Sequence, residues 1–94
     1  MDNYVYILRC GDNSLYTGWT NNLVNRLKMH KTGHGAKYTK GRGPINLMYF
    51  EVFLSKSEAL KREYEIKQFT KDQKEELIKT GNKNKSKVIE LDKI

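Results

Sequence analysis

The sequence predicts an α+β domain in which a three-stranded, largely antiparallel sheet is flanked by helices, in the order β-β-α-β-α-α. Three observations lead there. Two β-branched and aromatic segments near the N-terminus are separated by a short turn sequence; a third strand-like segment follows further on; and the intervening and later stretches carry helix caps and helical periodicity. A hairpin, a bridging helix and a third strand pack most economically as one sheet covered by helices. The 94 residues make one domain with room for a modest core.

Taken in order, Asn3–Arg9 (NYVYILR) reads as the first strand, Gly11-Asp12-Asn13 as turn chemistry, and LYTGW as the returning strand. Thr20 and Asn21 offer N-caps to a helix from about Asn22 to His30, with Leu23, Val24 and Leu27 as its apolar stripe. Lys31–Pro44 holds four glycines and the only proline and reads as a loop. Ile45–Leu54 (INLMYFEVFL) is nearly all apolar, as a buried third strand requires. Ser55-Lys56-Ser57-Glu58 has capping-box spacing and opens a second helix; Thr70-Lys71-Asp72-Gln73 opens a shorter one through Leu77 and Ile78 that Gly81 ends. The domain is expected to span residues 1–81. Residues 82–94 form a basic C-terminal tail, in which NKNKSK has almost nothing to bury and should be loose, while VIEL adds a short docked segment.

Lys and Arg number 18 against 11 Asp and Glu, a net charge of +7. Between Arg26 and Arg42 stand Arg26, Lys28, Lys31, Lys37, Lys40 and Arg42 with no acidic residue. Such a patch favours a polyanion, nucleic acid first; a solvated basic face kept for solubility accounts for the charge equally well. Cys10 is the only cysteine, which excludes an intrachain disulfide and a thiolate zinc cluster and fits a reducing compartment. No apolar run approaches the roughly 18 residues of a membrane span, and the N-terminus lacks a signal-like segment. The expectation is a cytoplasmic protein without a membrane partner, taken as a monomer.

One carboxylate stands out. With Ala59 at zero and about 100° per residue, Ile66, Leu60 and Tyr64 mark an apolar sector of the second helix, Glu63 falls inside it at about 40°, and Lys61, Arg62 and Glu65 lie on the far side. A carboxylate turned inward needs a cation, a donor or a solvent-filled cleft. Lys67, one turn on, is the simplest partner and would be structural. On the first helix Arg26 and His30 are one turn apart at the margin of the stripe, and Tyr4 and Tyr6 share a face of the first strand.

Tyr4-Val5-Tyr6 (YVY), followed ten residues after Tyr6 by Tyr16-Thr17-Gly18 (YTG), resembles the paired signature of the GIY-YIG nuclease superfamily. Arg26 in the next helix, the loop segment GAKYT and the helical Glu63 follow in the order of that family, most like its small stand-alone bacterial members. Trp19 stands where many members carry a lysine, and Lys74, Glu75 and Glu76 where some place an asparagine. The resemblance implies a divalent-metal-dependent endonuclease that hydrolyses nucleic-acid phosphodiester bonds, DNA ahead of RNA. Its catalytic set would be Tyr6, Tyr16, Arg26, His30 and Glu63, with Glu63 holding Mg²⁺ or Mn²⁺. Tyr6 would be the general base or its relay to His30, and Tyr16 would orient the water or the phosphate. Lys37, Tyr38, Lys40 and Arg42 would contact nucleic acid. The alternatives are a binding module of the same fold with little or no catalysis, and a small domain whose basic face meets an acidic protein.

Overall fold

The structure, a computed structural model, describes residues 2–81 and 85–93. Its elements are β1 (Asn3–Arg9), β2 (Leu15–Thr20), α1 (Leu23–Lys31), β3 (Asn46–Phe53), α2 (Lys56–Lys67), α3 (Lys71–Thr80) and α4 (Lys85–Asp92). The sheet order is β2-β1-β3, with both pairings antiparallel. The β1–β2 turn closes because Asn13 takes a φ of 69°, a left-handed value that asparagine tolerates, while the Asp12 carboxylate accepts from the Ser14 amide.

Side chains alternate across the central strand. Tyr6 and Leu8 face one side with Phe50 and Leu47, covered by Leu23 and Leu27 of α1 and Val88 of α4. Val5 and Ile7 face the other, covered by Ala59 and Ile66 of α2, with Leu77 and Ile78 of α3 packed alongside. The sheet is thus the middle of three layers. The register with β3 shifts between Ile7 and Leu8, so that Leu8 pairs with Leu47 and Met48 is the extra residue.

The helix ends follow their caps. Asn22, Ser55 and Thr70 accept from the amides of Asn25, Glu58 and Gln73, and Thr70 and Gln73 complete a reciprocal box. Two differences from the sequence reading matter. The inward face of α2 centres on Ala59 and Ile66; Leu60 and Tyr64 are exposed, and Arg62, expected to be solvated, instead binds Glu51 at 2.9 and 3.0 Å. Arg62 can turn inward because a carboxylate on β3 meets it there. The other difference is at the C-terminus, where the docked VIEL segment proves to be part of a helix that begins inside the stretch read as loose. Asn82, Lys83 and Asn84 lie outside the described residues, but Lys85–Asp92 is a helix. Val88 enters the core, Leu91 packs against it, and Asp92 accepts from the Leu47 amide at 2.6 Å and from Lys31 at 3.1 Å. Among the described residues no helix is long and apolar enough to cross a membrane.

Candidate active site

Tyr6 lies in the middle of β1, opposite Gly18 on the edge strand β2. A Cβ at Gly18 would sit 2.5 Å from the Tyr6 hydroxyl oxygen, so only glycine lets this phenol lie flat against the neighbouring strand. The hydroxyl is 3.0 Å from Nε2 of His30, in the last turn of α1. His30 is buried, and the Gly35 backbone closes over its ring so tightly that a Cβ there would come within 2.2 Å of Nδ1.

The hydrogen-bond chain fixes the proton positions. The Thr39 hydroxyl donates to the Ala36 carbonyl at 3.0 Å, so toward His30 it acts as an acceptor. Nδ1, 2.8 Å away, therefore carries the imidazole proton and donates it. Nε2 is left bare, and the Tyr6 hydroxyl donates to it. Burial, and then the Arg26 cation, push the His30 pKa from 6.5 down to about 4, so the ring is neutral near pH 7. Burial raises the Tyr6 hydroxyl above its ordinary pKa, with Tyr16 and Glu63 adding to the rise and Arg26 opposing it. The charges of Arg26 and Glu63 are thus both felt at this one oxygen.

Tyr16 completes the cluster, its ring 6.4 Å from that of Tyr6 and 5.5 Å from that of His30. Tyr38 stacks on Tyr16 at 5.7 Å and 26°. Arg42 lies over the Tyr38 ring at 4.4 Å and pairs with Asp12 at 2.5 Å, while Lys37 and Lys40 are exposed. The loop is folded back onto the site, with turn hydrogen bonds from Thr39 and Lys40 to Ala36 and one from Gly11 to Arg42.

Glu63 is mostly buried, and its Oε2 lies 3.4 Å from Nζ of Lys67. That is longer than the roughly 2.7–2.9 Å of a strong charged hydrogen bond, so the carboxylate keeps acceptor capacity. Among the described residues no group of three or more His, Cys, Asp or Glu could hold a metal. A single carboxylate with spare acceptor capacity is what Glu63 offers, a donor set that fits a hard ion completing its shell with water and phosphate oxygens, as Mg²⁺ does.

The structure brings Tyr6, Tyr16, His30 and Tyr38 into one cluster, with Arg26 and Glu63 in electrostatic reach of it; Lys37 and Lys40 stand outside, on the loop surface. Sequence reasoning missed Thr39, which fixes the His30 tautomer, and Asp12, which holds Arg42. The first has a weak signal in its place inside GAKYT; the second, 30 residues from its partner, has none.

The family profile that matches the sequence is the GIY-YIG catalytic domain, over residues 2–76. The chain belongs to the GIY-YIG catalytic domain family. That is a nuclease family. The chain is 64% identical over 76 residues to the UPF0213 protein CPE1444 of Clostridium perfringens, covering 81% of this chain and 82% of that protein. It is 61% identical to the UPF0213 protein OB0043 of Oceanobacillus iheyensis over 75 residues, 80% of this chain and 87% of that one. The solution NMR structure of the UPF0213 protein BH0048 from Bacillus halodurans matches with a TM-score of 0.57 and 48% identity, over 88% of this chain and 89% of that one. In this GIY-YIG domain Tyr6 of YVY and Gly18 of YTG are cross-strand partners in β1 and β2.

Proposed function

We propose that this domain is a divalent-metal-dependent endonuclease acting on nucleic-acid phosphodiester bonds, with DNA as the first substrate to test. The observation that carries the reading is the bare Nε2 of His30, hydrogen-bonded to a tyrosine hydroxyl that also feels Arg26 and Glu63. A buried imidazole held neutral, with its other nitrogen fixed by Thr39, offers an unprotonated lone pair at neutral pH; with a pKa of about 4 it is a weak base that takes the proton only in passing. Tyr6 can pass its proton to His30 as it takes one from an attacking water, so the phenolate never has to accumulate against its raised pKa. Arg26 would place a planar cation at the phosphate, and Tyr16 would orient the phosphate or the water. Glu63 would hold Mg²⁺ or Mn²⁺, which when bound supplies Lewis-acid stabilisation of charge on the phosphate oxygens.

The test is incubation of the protein with duplex, branched and single-stranded DNA and with RNA, with Mg²⁺ or Mn²⁺ and with chelator. Cleavage should require the ion. Glu63→Gln keeps the side-chain shape, should abolish cleavage and should leave substrate binding nearly intact. Cleavage by that variant at the parent's rate would overturn the reading and reduce Glu63 to the structural partner of Lys67.

A further inference from the structure

A cavity of about 200 Å³ opens between the β1–β2 turn and the start of α3, lined by Ser14, Leu15, Tyr38, Phe69, Lys71 and Lys74. It is smaller than the roughly 300–1,000 Å³ of typical small-molecule sites. At about 30 Å³ per water it has room for six or seven, enough for one hydrated anionic group.

Its charges are poorly matched by the protein itself. Lys71 and Lys74 are the first and fourth residues of α3, at the positive end of the helix, where anions are favoured and cations are not, with Asp72 the acidic residue of that turn. The carboxylate facing Lys71 is Glu75, at 3.9 Å, and Arg9 already holds Glu75 with two bonds of 2.6 and 2.8 Å. Lys74 is half-buried and makes no ion pair among the described residues; burial, and then Lys67, push its pKa down. Two lysines lining one cavity, one of them half-buried and without an ion pair among the described residues, is an arrangement an incoming anion relieves.

The cavity is also tied to the reaction centre. Tyr38 in its wall stacks on Tyr16. We propose that this cavity seats a phosphate of the nucleic-acid strand next to the scissile one, with Lys74 and Lys71 donating to its oxygens. The proposal rests on the nuclease reading and adds a strand path over α3, away from Lys37 and Lys40.

The test is binding of labelled duplex DNA, measured by fluorescence anisotropy in chelator across a salt series, for the parent, Lys71→Gln, Lys74→Gln and the α3 surface control Lys79→Gln. Loss of one phosphate contact should reduce the log–log salt slope by about 0.9. Lys74→Gln should show this loss together with several-fold weaker binding, Lys71→Gln should follow, and Lys79→Gln should stay close to the parent. Lys74→Gln should also melt at or above the parent temperature, since it removes an unmatched charge. An unchanged slope in Lys74→Gln overturns the seat but leaves the nucleic-acid reading standing; a parent that binds no oligonucleotide overturns both. A variant melting well below the parent would show that the fold itself satisfies Lys74. Inorganic phosphate followed by NMR separates the two anion sources: saturation at Lys74 that duplex DNA fails to displace would make the ligand a free phosphate and refute the strand path.

Discussion

Acidification should destabilise this protein through His30 well before its carboxylates titrate. The ring's pKa falls from 6.5 to about 4 on folding, so between those values the unfolded chain binds a proton that the folded chain refuses. Stability therefore rises with pH across that window and is lost as pH falls through it. With the two values inserted in the linkage relation, the loss is about 2 kcal/mol at pH 5 and about 3 kcal/mol at pH 4. Against the roughly 5–15 kcal/mol of an ordinary domain this is a large fraction. The assay is urea unfolding at pH 7, 6, 5 and 4 for the parent and for His30→Gln, which removes the titrating group and leaves the exposed His34 and every carboxylate in both chains. The parent should lose about 2 kcal/mol more than the variant between pH 7 and 5. Parallel pH curves would mean that folding does not lower the His30 pKa, which would refute the burial argument.

Gly18→Ala would drive a methyl to 2.5 Å from the Tyr6 hydroxyl oxygen; it should cost about 1–3 kcal/mol in urea unfolding and abolish cleavage, and a variant as stable and active as the parent would show that Tyr6 moves freely. In the loop, Arg42 is engaged with Asp12 and Tyr38, so Lys37→Ala and Lys40→Ala should each reduce the salt slope of DNA binding by about 0.9 if each meets a phosphate. Arg42→Ala should instead loosen Tyr38, read as a change in tyrosine fluorescence anisotropy. A chain ending at Gly81 loses Val88, Leu91 and the Asp92 bond to the Leu47 amide, for which we expect about 2–5 kcal/mol less stability; equal stability would show that α4 contributes nothing to the core.

Much of the fold was legible because strands, turns and caps are written locally. NYVYILR, the Asp12-Asn13 turn and the caps at Ser55 and Thr70 each act within four or five residues, and the elements they define match to within a residue or two. Long-range choices were not legible. The inward rotation of α2 depends on Glu51, eleven residues before Arg62 and on another element, so periodicity alone placed Leu60 and Tyr64 inside and Arg62 outside. The helix at 85–92 is short and basic at its start; only the uncovered edge of the Leu8–Leu47 face gives Val88 and Leu91 somewhere to be buried.

The same distinction governs the site. Arg26 and His30 share a helix face by their spacing, and Tyr6 and Tyr16 come together once the hairpin register is set, so their grouping follows from local rules. Glu63 does not. It rides on α2, on the opposite side of the sheet from α1, yet its charge reaches the Tyr6 hydroxyl. Next to Tyr6 on the edge strand stands Gly18, with no side chain between the phenol and the strand's outer margin. A glycine there admits the tyrosine against the sheet, because a Cβ would meet its hydroxyl oxygen at 2.5 Å. A larger residue at position 18 would push the phenol from that seat and from its 3.0 Å contact with His30. Glycine in YTG therefore keeps the Tyr6 hydroxyl where the charges of Arg26 and Glu63, from two helices, act on it.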